Sequence, residues 1–324
     1  MNTSPTSNHT DLHVIVGAGA TGSATARQLA EAGVSVHIIT RSGSGPVHPN
    51  IERIAADAAV QETLASLTEG ATALYNCANP KYHRWTTDWP PLAESLLNAA
   101  EASGAVLVTL SNLYGYAPPT KPMRATDPLN PRSIKGAVRA DMWMAAKAAH
   151  DAGRIRTVEV RASDFIGPDL GQNGHMGDRV VPRLLAGKSV SVLGGVDVAH
   201  SWTAIDDVAA TLIASARNEQ TWGRAWHVPT APPMTQTQLV DEMARIAGVD
   251  TVTVSSIPNF AVTLLGLVMV DMRELKEVMY QFEAPFVVDS SETTEVLGLV
   301  HTPLEETLQR TIDSYRTSKA AQHS

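Results

Sequence analysis

The chain has 324 residues, 44% of them hydrophobic and 18% charged, with a formal net charge of -8 and a sequence pI near 5.7. This composition excludes a disordered chain, and without a basic stripe to neutralise phosphates it points away from nucleic acid and toward a small-molecule partner. The single cysteine, Cys77, excludes an internal disulfide framework and a multi-cysteine zinc site, in keeping with a reducing cytoplasm.

Residues 1–10 are polar, lack the apolar core of a secretory signal, and are expected to be disordered. The first strand, Leu12 to Val16, feeds a Gly-x-Gly-x-x-Gly turn and then a helical segment from Ala20 to Ala32. Gly17 permits the tight turn, Gly19 lets the backbone approach a pyrophosphate, and Gly22 allows the helix to pack closely on the strand. Ala20 and Thr21 open that helix, whose first amides face the phosphates. A second strand, Val34 to Ile39, follows within about thirty residues and meets the context that the motif requires.

Further strands are predicted at Ile51 to Ala55, Ala73 to Cys77, Val106 to Leu110 and Ile155 to Val160. Helices fall between them at Gln61 to Thr68, Pro91 to Ser103 and Ser133 to Ala152. Such alternation predicts an α/β, Rossmann-type doubly wound parallel sheet over residues 11–166. Residues 167–320 read mainly as a smaller C-terminal substrate-binding lobe, with elements returning to the core at about 195–230. The longest apolar run, Phe260 to Val270, is too short to span a bilayer and continues into Asp271-Met-Arg-Glu-Leu-Lys276, so it predicts one amphipathic helix on the second lobe and no membrane segment.

The end of the second strand reads Ile39-Thr40-Arg41-Ser42. An acid there would hold a ribose 2'-hydroxyl; Arg41 and Ser42 instead suit a 2'-phosphate, which favours NADP over NAD. Asp57, followed by Ala58, can accept from the adenine amino group or simply cap a turn.

Several segments in this order, the glycine turn, Asn76-Cys-Ala78, Arg161-Ala-Ser-Asp-Phe-Ile-Gly-Pro168 and Ser201-Trp-Thr-Ala-Ile-Asp-Asp-Val208, resemble the extended short-chain dehydrogenase/reductases, the NAD-dependent epimerase/dehydratase family. The resemblance covers most of the chain. It implies a cofactor site completed by Ala78, Ala162, Ser163 and Phe165, an N-cap role for Asp206-Asp207, and a homodimer built on the helices at Pro91 to Ser103 and Ser133 to Ala152. The chain departs from the family's Ser and Tyr-x-x-x-Lys: alignment puts Asn112 at the Ser position, Lys135 at the Tyr position and Arg139 at the Lys position.

On this alignment Lys135, as an ammonium, is the expected acid or electrostatic clamp for the alkoxide formed by hydride addition. Arg139 holds the ribose hydroxyls, Asn112 orients the carbonyl oxygen, and Tyr114 is a reserve proton donor. The aromatic loop with His83 and Trp85 is a candidate substrate wall, facing Asn173, His175, Met176 and Arg179. His200 stands where many nucleotide-sugar epimerases place a phosphate-binding Arg, with Trp202 beside it. The spacing of His83, His175 and His200 matches no metal-ligand pattern. The expected function is an NADPH-dependent reductase of an apolar or aromatic carbonyl compound. A nucleotide-sugar epimerase or dehydratase, or a non-catalytic NADP-sensing protein, is the alternative.

Overall fold

The computed structural model describes residues 11–171, 174–265 and 270–321. The expectations for residues 1–10 and for Asn173 lie outside the described residues. In chain order the elements are β1 (Leu12–Val16), α1 (Ala20–Glu31), β2 (Ser35–Thr40), β3 (Ile51–Ala55), α2 (Gln61–Leu67), β4 (Ala71–Asn76), α3 (Trp85–Ser103), β5 (Val106–Ser111), β6 (Met123–Arg124) and α4 (Ile134–Asp151). There follow β7 (Arg156–Arg161), β8 (Asp164–Ile166), α5 (Val181–Leu185), β9 (Val190–Leu193), β10 (Trp202–Ala204), α6 (Ile205–Arg217), β11 (Ala225–His227) and α7 (Gln236–Ala247). The chain closes with β12 (Val254–Ile257), α8 (Asn259–Leu265), α9 (Val270–Lys276), β13 (Val288–Asp289), α10 (Ser291–Leu297) and α11 (Leu304–Ala321).

Seven strands pair in the order β11-β7-β5-β4-β1-β2-β3, every pair parallel. The interior strand β1 buries consecutive residues, Val14, Ile15 and Val16, because both faces of the sheet are covered. On one face Ile15 and Tyr75 pack with Leu29 of α1 and Leu212 of α6; on the other, Val14 and Leu74 pack with Leu64 of α2, Leu96 of α3 and Ala149 of α4. The second lobe has its own core around Leu184, Val240 and Leu308, with two-stranded parallel pairs β8/β10, β9/β12 and β6/β13.

Predicted and observed elements differ where tertiary packing outweighs local rules. Helix α3 begins at Trp85, ahead of Pro90 and Pro91, because burying Trp85 and Trp89 and pairing Arg84 with Asp88 stabilise a turn that the prolines disfavour. Asp206 and Asp207 are not the cap of α6, which is Ala204. Instead Asp207 accepts from Thr302 N at 2.9 Å and Thr302 Oγ1 at 2.6 Å, and Asp206 pairs with Arg310, so both tie α6 to the segment of α11. The run from Phe260 is described as α8 and α9, and residues 266–269, on which a single continuous helix depends, lie outside the described residues. Among the described residues no helix is long and apolar enough to cross a membrane.

A buried polar chain braces the β7–β11 edge. Arg161 pairs with Glu159 at 2.6 Å and donates to Tyr116 Oη at 2.5 Å. That hydroxyl donates to His227 Nε2 at 3.0 Å, and His227 Nδ1 donates to Asp289 O at 3.2 Å. His227 is 0% exposed, and burial, with Arg161 nearby, pushes its pKa from 6.5 down to about 4. The unfolded chain therefore binds a proton that the folded chain refuses, so stability should fall as pH drops from 6.5 toward 4. Urea unfolding at several pH values should show a loss of about 2–4 kcal/mol over that window, and His227→Gln should flatten it.

Candidate active site

In a parallel sheet the strands' carboxyl ends share one edge, so residues that follow β1, β4, β5 and β7 converge whatever their separation in sequence. Here Gly19, Ala20, Thr21, Ala78, Asn79, Asn112, Tyr114, Ala162, Ser163, Asp164 and Phe165 line one cleft. Tyr82 and Trp85 close one wall, Arg139 the floor beside β5, and Leu170, Gly174, His175, Gln281 and Phe286 of the second lobe the other wall.

The glycine turn has the geometry of a dinucleotide cradle. Gly17 has φ +102°, and a Cβ there would lie 2.7 Å from Cys77 O; a Cβ on Gly22 would lie 2.0 Å from Gly17 O. These two glycines let α1 sit down on β1 and β4. At Gly19, by contrast, a Cβ would meet nothing within 4 Å, although Gly19 lines the cleft. That open approach fits a pyrophosphate at the start of α1.

Arg139 is 7% exposed. Nη2 donates to Leu110 O at 2.7 Å, the guanidinium lies 4.6 Å from the Trp89 ring centre and 5.5 Å from that of Trp85, and Nε and Nη1 are buried without a partner. Burial pushes its pKa down to about 10, so it remains a cation at neutral pH. Leaving two donors of a buried cation unpaired is costly, and the fold accepts that cost at a residue of the cleft lining.

Lys135 is one helical turn earlier but does not line the cleft. Its side chain is 3% exposed, with Nζ 2.7 Å from Glu274 Oε2 and 2.6 Å from Glu277 Oε2, while Glu277 Oε1 also accepts from Lys135 N. The ammonium is thus spent on α9, and the structure does not bring it to the other predicted groups. Asn112 and Tyr114 do line the cleft. Asn112 Oδ1 accepts from Tyr114 N at 3.1 Å, and Tyr114 Oη is 3.0 Å from Tyr82 Oη. Burial raises both phenols, Tyr114 well above its ordinary value, with the other phenol and Asp164 adding to the effect.

Other predicted residues fall away from the cleft. Arg41, Ser42 and Asp57 are exposed beyond β2 and β3. Asp57 Oδ1 accepts from Ala59 N at 3.0 Å, a turn contact, and Ala58 joins the core under the sheet. His83 is exposed, and Arg179 also lies outside the lining. Met176 and Trp202 are buried in the second core, with Trp202 Nε1 donating to Met234 O, because their apolar surface packs inward. His200 is buried behind Asp164, its Nε2 donating to Asp164 Oδ2 at 2.8 Å. The alignment missed Tyr82, Asp164, Gln281 and Phe286. Tyr82 and Asp164 stand inside segments already marked by aromatics or by family likeness, whereas nothing local marks Gln281 or Phe286. Among the described residues no group of His, Cys, Asp and Glu is placed to hold a metal.

A glycine cradle opening into a cleft at the carboxyl edge of a parallel sheet defines a Rossmann-type, dinucleotide-dependent class. Within it the chain belongs to the NAD dependent epimerase/dehydratase family, whose model matches residues 13–228, a family of NAD(P)-dependent enzymes. No curated protein matches the chain by sequence. Among solved structures it is similar to UDP-glucose 4-epimerase with UDP-glucose from Thermotoga maritima, with 18% identity, a TM-score of 0.78, and 95% of this chain and 99% of that one covered. It is also similar to dTDP-glucose 4,6-dehydratase with NAD from Bacillus anthracis (15%, TM-score 0.77, coverage 95% and 97%). A third is UDP-N-acetylglucosamine 4-epimerase with UDP-N-acetylmuramic acid from Methanobrevibacter ruminantium (16%, TM-score 0.77, coverage 95% and 99%). At these identities the likeness is one of fold.

The two glycine environments separate binding from stability. Gly19→Ala should leave the melting temperature unchanged and weaken NAD(P)H binding about tenfold or more, read by cofactor fluorescence, because the methyl fills ligand space. Gly22→Ala should lower the melting temperature, since its methyl has no room against Gly17 O.

Proposed function

We propose that the chain transfers a hydride between NADP(H) and a carbinol or carbonyl carbon held in the cleft, working in the direction of reduction. The observation that carries this reading is the Tyr82–Tyr114 hydroxyl pair in the cleft wall. When bound, the nicotinamide supplies the hydride. The chain's own residues must then place the carbonyl oxygen and give it a proton. Asn112 has its amide oxygen engaged by Tyr114 N, which leaves its Nδ2 as the donor for that oxygen. Tyr114 is the acid and Tyr82 supports it: burial keeps both phenols protonated at neutral pH, and an alkoxide is a stronger base than even a buried phenolate. Such phenols give protons more readily than they take them, which weighs against alcohol oxidation. Arg139, the cation of the lining, is the donor assigned to the ribose, and Arg41 with Ser42 favours the 2'-phosphate of NADP.

A second reading, a nucleotide-sugar epimerase or dehydratase, is favoured by the family match and by the substrates named for the similar structures; the comparisons weigh more on its side than on that of a ketoreductase. In that case hydride leaves and returns with no net consumption of cofactor. Against it stands the cleft itself, whose one charged donor among the described lining residues is Arg139.

Net cofactor turnover decides between them. A panel of apolar and aromatic ketones should oxidise NADPH, with the rate flat from neutral pH to about 10, the ordinary phenol value, and falling only above it as the acid is lost. Tyr114→Phe should lower turnover about 10²- to 10⁴-fold while NADPH affinity holds. UDP-galactose formed from UDP-glucose without NADPH loss sinks the reductive direction, and tight NADPH binding with neither activity marks a sensor. For the cofactor, Arg41→Glu should invert the preference for NADPH over NADH, measured as a ratio of dissociation constants.

A further inference from the structure

On its second-lobe side the cleft presents two hydrogen-bond acceptors. Gln236 fixes the first of them. Its Nε2 donates to Leu193 O at 2.8 Å and Gly195 O at 3.0 Å, so its Oε1 is an acceptor, and His175 Nε2, 2.6 Å away, must be the donor to it. That tautomer leaves the lone pair on His175 Nδ1. Burial holds the imidazole below its ordinary pKa, so it is neutral at pH 7. The ring is stacked 4.3 Å from that of Phe282, which sets its plane.

Asp164 is the second acceptor. His200 takes Oδ2 at 2.8 Å, and the side chain is 22% exposed, opening on the cleft that it lines. Oδ1 has no partner among the described residues. His200 is held in turn, with its ring 4.8 Å from Phe282 and 5.4 Å from Phe286, so the carboxylate is fixed from behind. Arg139, the one cation among the described lining residues, is held instead on the sheet side by Leu110 O of β5 and Trp89 of α3.

We infer that Asp164 and His175 are the specificity-determining subsite of the cleft, taking hydroxyl or ammonium donors of an apolar-bodied substrate that is uncharged or cationic there. A phosphate or carboxylate offers only acceptors at neutral pH and would meet acceptors. Tyr82, Trp85 and Phe286 supply the apolar surroundings for such a body. The inference rests on the reading of this cleft as the substrate site of the hydride transfer proposed above.

The test titrates the full chain, with and without NADPH at physiological ionic strength, with cyclohexylamine, cyclohexanol and cyclohexanecarboxylate, and separately with UDP-glucose. One ring with three head groups isolates the charge and the donor. The ammonium should bind at least tenfold tighter than the carboxylate, with the alcohol between them and UDP-glucose no tighter than the carboxylate. Asp164→Asn should bring the ammonium-to-carboxylate ratio close to one, which separates a local effect from the general pull of an acidic protein on cations; if that variant does not fold, His175→Phe should weaken the alcohol at least threefold. A carboxylate or UDP-glucose binding as tightly as the ammonium overturns the subsite, and so does the absence of binding by all three ring compounds. NADPH binding and turnover, followed on the same samples, are the separate check on hydride transfer: their loss sinks that reading, whereas an inverted series with NADPH bound sinks only the subsite.

Discussion

A guanidinium buried between two indoles is the constraint around which the cleft is arranged. Removing a cation from water costs several kcal/mol unless the site returns its hydrogen bonds and charge stabilisation. Arg139 recovers part of this from Leu110 O and from the faces of Trp85 and Trp89, while Nε and Nη1 stay buried without a protein partner in a residue that lines the cleft. The demand reaches back into local structure. Helix α3 winds through its two prolines because the turn that precedes them carries the indoles to the guanidinium.

The same helix α4 presents Lys135 one turn before Arg139, and the two cations meet different fates. Serine at position 133 caps the helix by accepting from Gly136 N, and Lys135, just inside that end, is enclosed by Glu274 of α9 and Glu277 just after it. An ammonium between two carboxylates is neutralised and held, so positive charge enters the cleft only at Arg139. In the reaction proposed for this cleft, proton transfer then falls to hydroxyls. Tyr114 comes from the end of β5 and Tyr82 from the turn that leads into α3, and the aromatic contacts of Trp85 with both set their orientation.

The second lobe contributes acceptors where the sheet contributes donors and apolar surface. Gln236 at the start of α7, His200 ahead of β10 and Phe282 before β13 hold His175 and Asp164 from outside the cleft. A site supported in this way is preorganised, since neither acceptor can turn to satisfy itself elsewhere.

Sequence alone determined the doubly wound parallel class, six of the seven strands of the sheet and the glycine cradle, whereas β11 and the order of the strands came from the tertiary structure. The class, the six strands and the cradle depend on short-range physics: apolar runs that cannot stay in water and glycines at backbone positions closed to a Cβ. Strand ends moved by a residue or two, and of the residues singled out by the alignment Asn112 and Arg139 line the cleft, as does Tyr114, whereas Lys135 does not. What only the tertiary structure decided is the partner of each polar group. Lys135 meets Glu274 and Glu277, 139 and 142 positions away; Tyr82 meets Tyr114 across 32, Asp164 meets His200 across 36, and His175 meets Gln236 across 61. A helical or extended pattern fixes which way a side chain leaves its own backbone, but a charge or hydrogen bond is satisfied by whatever the folded chain places opposite it, and no local pattern records that.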